Sequence, residues 1–91
     1  MRTQTTYPCV TSVEALSDKR LRVTFATGDV KIYDCKALLH EEVFRPLEAD
    51  ALFRRVRTDH HGYGVIWNDE IDLAESELWL HGKSAGAELD Q

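Results

Sequence analysis

The 91-residue chain is poor in cysteine and in proline, with two of each. Cys9 and Cys35 are far apart and form no Cys-x-x-Cys pair, which excludes a dithiol redox motif or a paired-thiolate zinc knuckle. Short secreted domains are commonly stapled by several disulfides; here both thiols are expected to stay reduced. No run approaches the roughly 20 apolar residues of a membrane span. The opening Met1-Arg2-Thr3-Gln4-Thr5-Thr6 lacks the apolar segment of a secretory signal. The expectation is a cytoplasmic protein without membrane contact. Positive charge is also short: 11 Lys and Arg stand against 16 Asp and Glu, a net charge of -5. An acidic surface is repelled by phosphate backbones, so the chain is expected to take no nucleic acid by itself. Internal repeats, low-complexity tracts and a complete phosphate-binding loop are missing too, since Gly62-Tyr63-Gly64 has no third glycine and no following helix. No Ser-His-Asp arrangement with recognisable spacing is present.

What is present suits one small domain. Hydrophobic residues make up 43% of the chain, near the globular average. A domain of this length buries roughly 60–65% of its unfolded surface, enough for one modest core. Residues 9–33 read as a three-stranded antiparallel meander. Its first strand has imperfect alternation, which predicts a bulge. A polar turn follows at Ser17-Asp18-Lys19-Arg20. The second strand sets Leu21, Val23 and Phe25 on one face against Arg22 and Thr24. Gly28 turns the chain, and Val30 and Ile32 are expected to resume the apolar face, with Lys31 and Tyr33 opposite.

Asp34 is placed to cap a short helix over 35–40, and Asp50 a second one carrying Leu52, Phe53 and Val56. Pro46 bars a regular helix between them. Strand character is expected to begin within 57–61. Val65-Ile66-Trp67 forms a short strand, and Asn68-Asp69-Glu70 a turn. Asp72-Leu73-Ala74-Glu75 resembles a capping box opening a last helix that stops at Gly82. The predicted class is α+β: a small antiparallel sheet, built from the N-terminal meander and short C-terminal strands, packed with two or three short helices. One domain over 9–82 is expected between flexible ends at 1–8 and 83–91.

A longer pattern runs through these elements. It comprises Leu-x-Val-x-Phe-x-x-Gly-Asp-Val-x-x-Tyr-Asp over 21–34, Leu38-Leu39, Val43-Phe44-x-Pro46-Leu47, Phe53-x-x-Val56, Gly62-Tyr63-Gly64-Val65-Ile66-Trp67-Asn68-Asp69-Glu70-Ile71-Asp72-Leu73 and Glu77-Leu78-Trp79. The pattern resembles a small bacterial family classed as a domain of unknown function, DUF2442. The resemblance runs from about Val10 to Gly82. It implies a compact α+β domain with no catalytic residues to carry over. It also implies relatives joined to a helix-turn-helix module, and others paired with a second small protein in toxin–antitoxin fashion. Many relatives carry Pro after the tryptophan where this chain has Asn68.

Several side chains invite a chemical reading. His60 and His61 follow Asp59, a metal-friendly set, but adjacent residues of an extended strand point to opposite faces and a third ligand at fixed offset is missing. Asp69, Glu70 and Asp72 form an acidic cluster beside Trp67 without the spacing of a calcium loop. It reads as a turn and a helix cap, and as an acceptor for a basic patch on a partner. Cys35 lacks a flanking base and reads as a packed residue. Arg54, Arg55 and Arg57 are a basic knot lacking the interleaved aromatics and positive surplus of a nucleic-acid binder. Trp67 and Trp79 are core candidates, and Trp79, crowded between Leu78 and Leu80, is an interface candidate.

The reading that results is a non-enzymatic protein-interaction or regulatory module, in one concrete form the antitoxin-like member of a two-gene pair. Its partner is expected to be another small bacterial protein, with Trp67, Asp69, Glu70 and Trp79 as the binding candidates. An open sheet edge leaves a homodimer as an option. No catalytic residue, metal ligand or cofactor is assigned. The alternative is a small metal protein or enzyme using His60 and His61, or the carboxylates Asp69, Glu70 and Asp72.

Overall fold

The computed structural model describes residues 7–85. Its first half is the expected meander: β1 (Val10–Leu16), β2 (Arg20–Phe25) and β3 (Val30–Asp34) pair antiparallel. The register slips between Val10 and Ser12, which is the irregular start that the broken alternation of β1 foretold. At the β2–β3 turn the Phe25 N–H donates to Asp29 O at 2.9 Å, and the Gly28 N–H to Phe25 O at 2.8 Å.

That turn sets a register in which Leu21 faces Tyr33 and Val23 faces Lys31. Residues directly opposite share a face, so Tyr33 and Lys31 lie on the core side and Val30 and Ile32 on the outer side. This reverses the expected orientation of β3, because a shift of one residue exchanges every side chain between faces. The polar tips find partners on the last helix. Tyr33 Oη donates to Glu77 Oε2 at 2.8 Å. The Lys31 ammonium donates to Trp79 O at 2.7 Å and stands 4.1 Å from the centre of the Trp79 ring.

Two 3-10 segments follow, Lys36–His40 and Glu42–Glu48. The Lys36 N–H donates to Asp34 Oδ1 at 2.9 Å, and Pro46 sits inside the second segment, where a regular helix would be interrupted. Helix α1 is a single turn, Asp50–Phe53. Asp50 lies within it rather than capping it; Ala49 precedes it without a side-chain cap. The Asp50 carboxylate instead pairs with Lys19 at 3.2 Å and Arg54 at 3.0 Å.

A second sheet joins β4 (Arg57–Thr58), β5 (Gly64–Asn68) and β6 (Ile71–Ala74), in that order and antiparallel. The expected capping box is thus a strand: Ile71 and Leu73 are buried while Asp72 and Ala74 are exposed. The two-residue alternation, paired across β5, wins over the local cap signal. Helix α2 (Glu75–His81) follows, and the Gly82 N–H donates to Leu78 O at 3.0 Å. Lys83 and Ser84, expected in a flexible tail, form β7 on the far edge of β3. The rest of that tail, 86–91, and the expected N-terminal segment up to residue 6 lie outside the described residues.

Leu21, Val23, Phe25, Leu47, Phe53, Val65 and Leu78 are at most 1% exposed, and they form one core enclosed by the two sheets and the helical segments. The class is α+β, with antiparallel sheets of four and three strands. Among the described residues no helix is long and apolar enough to cross a membrane.

Candidate functional site

The connection between β4 and β5 is a tight loop built around one carboxylate. Asp59 Oδ2 accepts the His61 N–H at 3.0 Å and the Tyr63 N–H at 3.3 Å. The Gly62 N–H donates to Asp59 O at 3.0 Å, while Gly62 O accepts the Val10 N–H at 2.8 Å. The loop is therefore tied both to itself and to the start of β1. These backbone donors, His61 first, hold the Asp59 carboxyl below the usual carboxylate range.

With the backbone fixed this way, three rings stand together on the surface. His60 and His61 meet edge to face with centroids 5.7 Å apart, and His61 and Tyr63 lie 5.4 Å apart at an interplanar angle of 31°. Tyr63 is 60% exposed. The expectation that the two histidines point to opposite faces assumed a strand, and a turn brings them together instead. Beside the rings is a shallow cleft of about 370 Å³ lined by Arg57, Thr58, Asp59, His60 and Ile66. Arg57, Ile66 and Asp72 face one another across the outer side of the second sheet. Arg55 and Arg57 are exposed and have no partner among the described residues.

The other candidates are placed differently. Trp67 is 2% exposed, its Nε1–H donates to Phe53 O at 3.0 Å, and its ring lies against Phe53. It is a core residue and offers a partner no surface, which corrects its place among the binding candidates. Trp79 is half-buried, edge-on to Phe25 at 5.0 Å and covered by Lys31; Leu80, next to it, is the residue left exposed. Asp69 and Glu70 are exposed in the β5–β6 turn, which Asn68 Oδ1 organises by accepting the Glu70 and Ile71 N–H groups at 2.8 and 3.0 Å. Asp72 belongs to β6, on the outer face. Among the described residues no group of three or more His, Cys, Asp or Glu is arranged to hold a metal ion.

Cys35 is fully buried, and burial pushes its thiol up to about 12, so it is a packed side chain and not an activated nucleophile. Burial also raises the Tyr33 phenol, helped by its bond to Glu77. A second cleft, about 300 Å³, lies on the outer face of the first sheet between Asp18, Arg20, Asp34, Lys36 and His81. Lys83 lines it too; of its cations, Lys36 is engaged with Asp34 at 3.2 Å and with Asp18 O at 3.1 Å, and Arg20 with Ser17 O.

The sequence reading passed over Tyr63, taking it as a turn residue. The signal available was the run Arg57-x-x-His60-His61-x-Tyr63, aromatic rings following a basic knot. It supplies the interleaved aromatics that Arg54, Arg55 and Arg57 lack among themselves, displaced by a few residues.

No curated protein matches the chain. The crystal structure of a putative DNA-binding protein from Nitrosomonas europaea is similar in fold, with a TM-score of 0.78 and 26% sequence identity. The similarity covers 94% of this chain and 56% of that one, so the chain spans little more than half of that relative. The finding corrects the exclusion of nucleic acid by net charge, because a protein similar in fold is named a putative DNA-binding protein. It supports neither the small-protein partner nor the homodimer. The family model for DUF2442, proteins of unknown function, matches residues 10–84, and the chain belongs to that family.

Proposed function

We propose that this chain is a non-enzymatic regulatory module that associates with nucleic acid. The observation that carries the reading is the β4–β5 loop: preset, exposed aromatic rings, of which His60 shares a cleft with the exposed Arg57. Aromatic faces next to cationic side chains are what bases and phosphates jointly recognise. The Nitrosomonas protein, named a putative DNA-binding protein and similar in fold over 56% of its length, supports the same assignment. The strongly shifted titratable groups, Tyr33 and Cys35, are buried in the core and line neither of the clefts described above. Activated groups for chemistry would instead be expected in a cleft, and this favours binding over catalysis. Of the residues suggested for a protein partner, Trp67 is buried and Trp79 is packed beneath Lys31, which shifts the weight to the loop. The antitoxin-like pairing implied by the family resemblance has no surface here that selects it.

The test is fluorescence anisotropy of labelled mixed-sequence oligonucleotides, single-stranded and duplex, titrated with the full chain at low salt. Saturable binding is expected, weakened in an Arg55→Gln, Arg57→Gln double variant of unchanged melting temperature. Absence of binding to either form at 0.1 mM protein refutes the proposal.

A further inference from the structure

We infer that the β4–β5 loop is a stacking platform for unpaired bases, so that the nucleic acid it takes is single-stranded. The inference rests on the nucleic-acid reading above and adds the strand state and the residues that read it. Three observations bear on it. The ring of His61 already stands 5.7 Å from that of His60 and 5.4 Å from that of Tyr63, and all three are exposed, so a base can extend the series without first ordering the loop. Asp59 fixes the backbone beneath them by two N–H bonds, at 3.0 and 3.3 Å. That lowers the ordering cost of binding. Finally, Arg57 shares the adjoining cleft with His60 and Ile66. This puts one cation within reach of a phosphate next to a stacked base.

A duplex hides its base faces in its own stack, and reading it through phosphates would need many cations. This chain carries a net charge of -5, and the loop presents one guanidinium. Each stacked base, in contrast, is held by its π-face whatever the sequence, with a modest debt to charge. Asp59, an ionised carboxylate that accepts two backbone N–H bonds through Oδ2, shares the cleft with Arg57, and Asp72 lies across Ile66 from Arg57. Both acidic groups repel a duplex laid over the sheet face more than a strand that contacts only the rings.

The experiment compares a labelled 12-nucleotide single strand of mixed sequence with its duplex, using the full chain and the variants Tyr63→Ala, His61→Ala and Arg57→Gln. The single strand is expected to bind at least tenfold more tightly than the duplex. Tyr63→Ala and His61→Ala are expected to weaken single-strand binding about tenfold each, as removal of one stacking partner does. Tyr63 is 60% exposed, and its variant should melt at the wild-type temperature. A Tyr63→Phe variant, which keeps the ring, should bind like wild type. The log–log salt slope should be shallow, about -0.7 for one neutralised phosphate on a single strand. Equal or tighter duplex binding that fails on Arg57→Gln but not on the ring variants overturns the stacking platform while leaving nucleic-acid association standing. Binding to neither form overturns both.

Discussion

Replacing Gly64 by alanine separates two costs that a glycine can carry, and the β2–β3 turn supplies the control. Gly64 opens β5 with φ +155°, and a Cβ there would run into the Leu73 carbonyl oxygen of the neighbouring strand. Gly28 has φ +94° in the turn, and a Cβ there would meet nothing within 4 Å. For Gly28→Ala the cost is conformational, about 1–2 kcal/mol for an L-residue forced into positive φ. For Gly64→Ala the same strain is joined by the displacement of β6 backbone, and overpacking of this kind adds about 1–3 kcal/mol. In a domain of this size each kcal/mol lowers Tm by about 4–8 °C. Thermal unfolding followed by circular dichroism should therefore place Gly64→Ala at least about 4 °C below Gly28→Ala. The consequence reaches the loop as well. The Asp59 N–H donates to Gly64 O at 3.0 Å and the Glu75 N–H to Tyr63 O at 2.9 Å, so a shifted β5 moves the floor of the rings. Melting temperatures within about 4 °C of each other would refute the close approach of β5 and β6 on which the placement of the loop depends.

Trp67→Phe keeps a buried ring but leaves Phe53 O without its donor at 3.0 Å; a loss of about 1–3 kcal/mol is expected in urea unfolding, with an unchanged m-value. The Cys35 thiol, pushed up to about 12 by burial, stays protonated in the folded chain at pH values where the unfolded chain has released its proton. Its contribution is therefore intact below the ordinary thiol range near pH 9 and is lost as pH rises towards 12. The expected slope is at most about 1.4 kcal/mol per pH unit, and it should flatten in Cys35→Ala. Asp59 has the opposite sign. Its carboxyl is lowered, so the loop's order is present above the usual carboxylate range and is lost only as pH falls through the depressed value. The amide resonances of His61 and Tyr63 should titrate together with a midpoint below 3.8; a midpoint at or above that value removes the carboxylate from the loop.

The fold class and the element order were legible because hydrophobic periodicity carries them. The meander, the bulge in β1, the absence of a regular α-helix around Pro46 and the burial of Leu21, Val23 and Phe25 all follow from local pattern and backbone chemistry. The errors have a common cause. Val30 and Ile32 look like the inward face of β3, and Asp72 to Glu75 look like a helix start, yet both readings ignored the partner strand. In β3 the register set across Leu21 and Val23 turns Tyr33 and Lys31 inward, where Glu77 and the Trp79 carbonyl satisfy their polar tips. In β6 the pairing of Leu73 with Val65 and Asp72 with Ile66 overrides a capping signal worth about 1 kcal/mol. A single sequence holds the local terms and not the pairing terms.

The same distinction governs the site. Net charge is a sum over the whole surface, and it speaks to recognition that engages many phosphates at once. It says little about a contact made by a few rings and one cation. Of the acidic residues that produce the total of -5, Asp50 is paired with Lys19 and Arg54, Glu14 with Arg22, Asp34 with Lys36, and Asp59 with backbone donors. Arg55 and Arg57 lack such partners among the described residues. Such ion pairs take anions and cations out together and leave the negative excess in place, but the Arg57 side chain beside the rings is not among the cations they engage. Charge bookkeeping over the sequence had the sign of the whole surface right, and it could not locate the exposed rings that stand beside Arg57.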